Sequence, residues 1–171
     1  AMAYDIESDR TILFAQINAG EDNVSYTYDT NSDTWTELSS FPNPYHDLHE
    51  NAMAYDIESD RTILFAQINA GETNAAYSYD TNSDTWTELS SFPNPNQQLH
   101  ENAMAYDIES DKIIMVSEGS ATRVYDYNSD TWETQSSVNL GNNEALAYIG
   151  DYEFTSSYSG PTWHVSTTGS D

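Results

Sequence analysis

Six times the chain spells an acidic stretch of the form Asp-x-[Glu/Asn]-Ser-Asp. It stands at Asp5-Glu7-Asp9, Asp29-Asn31-Asp33, Asp56-Glu58-Asp60, Asp80-Asn82-Asp84, Asp107-Glu109-Asp111 and Asp126-Asn128-Asp130. Oxygen ligands at alternating positions suit a hard cation, and calcium is the cofactor these residues could take. A helix-flanked calcium loop also needs a central Gly and a distal bidentate Glu; here Arg10 follows Asp9 and Thr34 follows Asp33. The same letters make hairpin turns, because Asp and Asn bond to their own backbone and tolerate left-handed dihedrals. The turn is the primary expectation and calcium the side one.

A second recurring group is His49-Glu50-Asn51 and His100-Glu101-Asn102, with Asn143-Glu144 as a weaker copy. Imidazole and carboxylate together can hold a transition metal, with His46 and Asp47 nearby. One His per copy makes no ligand spacing, so a polar rim that satisfies strand ends is the simpler reading. A metal-dependent hydrolase at this rim ranks third among the functions considered.

Other chemistries meet specific obstacles. There is no cysteine, hence no thiolate nucleophile, no disulfide and no thiolate metal site. Ser32-Asp33-Thr34-Trp35 is similar to the Asp-box of sialidases but lacks its Gly, and Arg10, Arg61 and Arg123 are the only arginines available to hold a carboxylate. Ser and His occur without a nucleophile elbow or other triad context. The expectation is a protein without catalysis. Asn23-Val24-Ser25 also matches a glycosylation acceptor.

The 29 acidic and 4 basic side chains give a formal charge of −25, which repels phosphate backbones and anionic lipid. Nucleic-acid partners and membrane-surface roles are therefore not expected, and no apolar run reaches membrane-spanning length, so neither is membrane insertion. Salt would relieve the self-repulsion, which fits an extracellular or cell-surface setting. Only 37% of residues are hydrophobic, but 13 Tyr, 5 Phe and 4 Trp supply large buried areas to a β-rich core.

These groups must be positioned by a repeating element. Copies starting at Ala1, Ala52 and Ala103 give a period of 51 residues, and Trp35, Trp86 and Trp132 recur with five residues lost from the third copy. The chain opens inside a repeat, as a processed or excised piece would. Each unit reads as four short strands: HENAMAYD, then RTILFAQI, VSYTYD and TWTELS, with Asp-rich turns between the first and second and the third and fourth. Pro42, Pro44, Pro93 and Pro95 exclude strand continuation and mark the crossover between units. A period near 50 without a helical stripe points to propeller blades. The boundaries follow as blade 1 at 1–47, blade 2 at 48–98, blade 3 at 99–138 and a degenerate blade 4 at 139–171.

Tyr28-Asp29 with Trp35, Tyr79-Asp80 with Trp86, Tyr125-Asp126 with Trp132, the Pro-rich link and the His-containing first strand resemble kelch repeats. The usual Gly-Gly pair is absent; Phe14-Ala15-Gln16 and Phe65-Ala66-Gln67 stand there. The resemblance implies an all-β propeller of four-stranded antiparallel blades, with ligand contacts on the rim near His49 and His100. Galactose-oxidase-like chemistry on that scaffold needs a cysteine-crosslinked tyrosine, which this chain cannot make. Kelch propellers close with more blades than three and a remnant, so four small blades closing alone, two chains completing one ring, or an open filament are the solutions considered. Near-identical copies suit assembly better than a bespoke pocket. The expected function is a structural, self-assembling protein joined through open blade edges. The alternative is a monomeric propeller that binds a partner protein or a glycan at its rim.

Overall fold

A computed structural model describes residues 1–17, 22–39, 41–42, 48–68, 73–90, 92, 102–117 and 121–137. Residues 139–171, expected to form the degenerate fourth blade, lie outside them. The described residues form twelve strands and no helix. Blade 1 holds β1 (Met2–Asp5), β2 (Arg10–Ile17), β3 (Asp22–Asp29) and β4 (Thr34–Glu37). Blade 2 holds β5 (Leu48–Asp56), β6 (Arg61–Ile68), β7 (Thr73–Asp80) and β8 (Thr85–Glu88). Blade 3 holds β9 (Ala103–Asp107), β10 (Lys112–Val116), β11 (Ala121–Asp126) and β12 (Thr131–Ser137). Each sheet is a simple antiparallel meander with its strands in chain order.

The register repeats from blade to blade. Met2, Leu13, Tyr26 and Glu37 form one cross-strand row, and Met53, Leu64, Tyr77 and Glu88 form its counterpart. Tyr4, Thr11, Tyr28 and Trp35 form the next row, matched by Tyr55, Thr62, Tyr79 and Trp86. Such rows share one face of a sheet because side chains alternate with period two.

The blades stack face to face, with β5 lying against both β1 and β9. Each blade thus has a rear face toward its predecessor and a forward face toward its successor. Ile12 and Phe14 on the forward face of blade 1 pack on Met53, Leu64, Ala66, Tyr77 and Tyr79 on the rear face of blade 2. The forward face of blade 2 repeats the arrangement: Ala54 and Ile63 meet Ile113 and Tyr125, while Phe65 meets Met115. The link between blades supplies a plug to each joint. Phe41 has ring centroids 4.9 Å from Phe14, 4.6 Å from Tyr77 and 5.2 Å from Trp86. Phe92 is 5.0 Å from Phe65 and 4.7 Å from Trp132.

Blade 2 is the only described blade with neighbours on both sides, and its burial shows it. Ile63, Leu64, Phe65 and Ala66 are all fully buried, whereas in the identical stretch of blade 1 only Ile12 and Phe14 are, with Leu13 and Ala15 half-exposed. In blade 3 Ile113 and Met115 are buried while Ile114 and Val116 are half-exposed.

Candidate functional site

The acidic stretches are hairpin turns, and all six are built alike. The closing aspartates Asp9, Asp33, Asp60, Asp84, Asp111 and Asp130 have φ between 50° and 55°. That is the left-handed region, which Asp and Asn enter at lower cost than most residues. A tyrosine five residues earlier donates its hydroxyl to each: Tyr4 to Asp9 and Tyr28 to Asp33 at 2.7 Å, and Tyr55 to Asp60, Tyr79 to Asp84, Tyr106 to Asp111 and Tyr125 to Asp130 at 2.8 Å. The opening aspartate caps the turn by accepting backbone N–H groups, as Asp5 does from Glu7 and Ser8 at 3.0 Å and Asp80 from Asn82 at 2.9 Å.

The difference between Glu in the first turn of a blade and Asn in the second has a structural cause. Asn31 donates to Asp9 at 2.9 Å, Asn82 to Asp60 at 2.7 Å and Asn128 to Asp111 at 2.7 Å, so each second turn is tied to the first turn of its own blade. A carboxylate could not donate there. Three of the four cations reinforce the same end: Arg10 pairs with Asp29 at 3.1 Å, Arg61 with Asp80 at 3.0 Å and Lys112 with Asp126 at 2.9 Å. The fourth, Arg123, is buried with its guanidinium 5.0 Å from the Phe92 ring centroid.

In the calcium set Asp5, Glu7, Asp9, Asp29, Asn31, Asp33, Asp56, Glu58, Asp60, Asp80, Asn82 and Asp84, the closing aspartates accept from tyrosine and the opening ones from turn amides. Among the described residues, no three His, Asp or Glu side chains gather in a way that could hold a metal ion. His100, Glu101, Asn143 and Glu144 lie outside the described residues, as do His46 and Asp47. The backbone places His49, Glu50 and Asn51 inside β5, within the first strand as read, at a register irregularity between His49 and Ala52. Asn102 stands just before β9 and accepts from the Ser117 hydroxyl. Asn23, the glycosylation candidate, is 6% exposed in β3, too enclosed to carry a sugar in the folded blade.

The polar features that sequence reasoning missed lie between blades. Asp84 accepts from the Ser39 amide of blade 1 at 3.0 Å and 3.2 Å, and the Ser39 hydroxyl bonds the Asp84 carbonyl. Asp130 receives Ser90 of blade 2 at the equivalent place, but there the amide and the hydroxyl both reach its carboxylate. Thr81 donates to Asp5 at 2.6 Å and the Trp86 indole to Ser25 at 3.3 Å. Recurrence of Ser-Ser-Phe-Pro after the fourth strands of blades 1 and 2 was the available signal, but a clip reaching 45 residues along the chain is invisible to local pattern.

The electrostatics follow these contacts. Burial disfavours charge on Asp84 and Asp130, but donation from Ser39 and Tyr79, and from Ser90 and Tyr125, outweighs it and holds both carboxyls below their ordinary value. Asp5 is likewise lowered, since donors including Thr81 and Ser8 overcome desolvation. Asp56 occupies the equivalent place in the next joint, where Tyr127 stands in the position of Thr81. Burial there pushes its carboxyl up, and the charge of Asp111 adds to the effect. Tyr79 and Tyr125 are pushed far above the ordinary phenol value by burial and by donating to Asp84 and Asp130.

No family model and no curated protein matches the chain. Among solved structures, it resembles an auxiliary nutrient binding protein from Bacteroides thetaiotaomicron, at 16% identity and a TM-score of 0.53, over 78% of this chain and 30% of that one. It also resembles TolB from Acinetobacter baumannii, at 14% identity and a TM-score of 0.51, over 78% of this chain and 31% of that one. The chain therefore spans under a third of the length of either, and the likeness concerns the fold: an all-β stack of propeller-like blades.

Proposed function

We propose that the chain is a non-catalytic structural and interaction module of kelch-like blades that self-assembles through its uncovered ends. The observation that carries this reading is a contrast between identical sequences. Met53, Tyr55 and Leu64 are 6%, 7% and 0% exposed beneath blade 1, whereas Met2 and Tyr4 in the same places of blade 1 are 60% and 51% exposed. An apolar blade face that the fold covers wherever it recurs is built to be covered by another blade, which is the kind of surface assembly uses.

Light scattering over a range of protein concentrations in physiological salt tests the proposal. The expected result is a mass that rises with concentration and rises further at high salt, where the −25 charge is screened. A single-chain mass throughout overturns it and leaves rim binding of a partner protein or glycan as the reading to pursue.

A further inference from the structure

The second hairpin of every described blade turns on an Asn-Ser pair: Asn31-Ser32, Asn82-Ser83 and Asn128-Ser129. Asn is among the thermally labile residues, and a small residue after it leaves the following backbone nitrogen open to its side-chain carbonyl carbon. All three asparagines are exposed, Asn82 included, although its blade has neighbours on both sides. We propose that these asparagines are self-modification sites, where the amide that ties the two turns of a blade is hydrolysed to a carboxylate once the turn opens. The sites belong to the hairpins and do not depend on how blades assemble.

The chemistry needs only water. The Ser32 backbone nitrogen gives up its proton and bonds to the Asn31 side-chain carbonyl carbon. The bond from that carbon to the side-chain nitrogen breaks, and the nitrogen leaves with the proton as ammonia. Water then opens the cyclic imide at either carbonyl, leaving aspartate or isoaspartate. Water is consumed, ammonia is released, and nothing is oxidised or reduced. The first turns carry Glu7, Glu58 and Glu109 in the corresponding place and have no amide to lose.

The folded turn restrains the reaction twice. The attacking nitrogen of Ser32 donates its proton to Asp29 at 3.3 Å, and Ser83 and Ser129 donate alike to Asp80 and Asp126. Removing a proton beside a carboxylate is disfavoured by the charge it leaves. The side-chain amides meanwhile donate to Asp9, Asp60 and Asp111 at 2.9, 2.7 and 2.7 Å. Both bonds break before the ring closes, so the rate follows local opening of the turn. Each event sets a second carboxylate against the aspartate of the first turn and converts a tie into a repulsion.

Blades 1 and 2 supply the control, because residues 28–37 and 79–88 are identical in sequence. The whole chain is aged at mildly alkaline pH, folded and in guanidinium chloride, then cut after Arg and Lys. That leaves Asn31, Asn82 and Asn128 on the separate peptides 11–61, 62–112 and 124–171, where mass spectrometry with fragmentation reads each conversion. Conversion in denaturant is expected at least about tenfold faster than in the fold. Asp29→Ala, which takes the acceptor from Ser32, should speed Asn31 at least about threefold and leave Asn82 at its parent rate. Asp29→Asn keeps an acceptor oxygen and should fall between, and far-UV circular dichroism verifies that both variants keep their strands. Equal rates with and without denaturant, no conversion in denaturant, or an Asn31 rate unmoved by Asp29→Ala overturns the proposal. Urea midpoints test the consequence: Asn82→Asp should unfold at lower urea than Asn82→Ala, which only removes the donor. A midpoint at or above that of Asn82→Ala overturns the repulsion.

Discussion

Asp33 and Asp84 close turns of the same sequence, share a left-handed backbone and each accept from a tyrosine, but only Asp84 also receives Ser39 from the blade before it. Replacing each by Ala separates the turn from the joint. The left-handed strain and the lost tyrosine bond are common to both variants, so the difference belongs to the clip. Asp84→Ala should lower stability by roughly 1–2 kcal/mol more than Asp33→Ala, as the loss of the charged acceptor shared by the Ser39 amide implies; urea midpoints measure this, and equal losses would deny the clip any energetic role. A second residue-level test concerns Trp132. Its indole nitrogen is buried without an acceptor among the described residues, whereas Trp86 donates to Ser25. The residue corresponding to Ser25 in the joint to blade 3 is Ala76, which explains the orphan. Ala76→Ser should therefore stabilise the protein by about 0.5–1.5 kcal/mol, the usual net value of one hydrogen bond. A lower midpoint would show that the blades cannot admit the hydroxyl.

The strands were legible because their pattern is local. RTILFAQI occupies β2 and β6 as read, and the Asp turns bound the strands on the expected side. His49 to Asn51 fall in the first strand as read, but the register irregularity between His49 and Ala52 was not legible, because irregular pairing has no period. Burial is where the elements part company with the sequence. Leu13 and Leu64 share the neighbours Thr-Ile-Leu-Phe-Ala, yet only Leu64 is sealed beneath another blade. Leu64→Ala should cost about 2–5 kcal/mol, the range for a core leucine, and Leu13→Ala less than half as much. Chemical denaturation of the two variants checks this. Equal costs would mean that blade 1 has its rear face covered under the conditions of the measurement, which self-association would itself produce, so the comparison belongs at low concentration.

The molecule as a whole carries a charge of −25 and three ordered turn clusters of paired carboxylates, which makes its stability depend on pH in two directions. Asp5, Asp84 and Asp130 have lowered values in the fold, so what they contribute is present above the ordinary carboxyl range near 3.9 and is lost as pH falls through their folded values. Asp56 is raised, so its burial as an anion opposes folding at neutral pH, and that opposition fades as pH falls through its folded value. Self-repulsion fades over the same range. The melting midpoint should therefore rise on mild acidification toward about pH 4.5 and fall below about pH 3.5. Asp56→Asn, which keeps an acceptor for the Ser59 amide without the charge, should raise the neutral-pH midpoint and flatten the rise. A midpoint that falls steadily from neutral pH would sink this account.

The order of residues alone determined the length of each strand repeat, the Asp turns and the all-β character, because hydrogen bonding across a hairpin and alternation along a strand are settled within a few tens of residues. Tertiary structure alone decided which copy of an identical leucine is sealed, which aspartate holds a distant serine and which tryptophan lacks an acceptor. Those properties belong to the space between two blades, and a blade's own sequence is the same whether or not a neighbour lies against it.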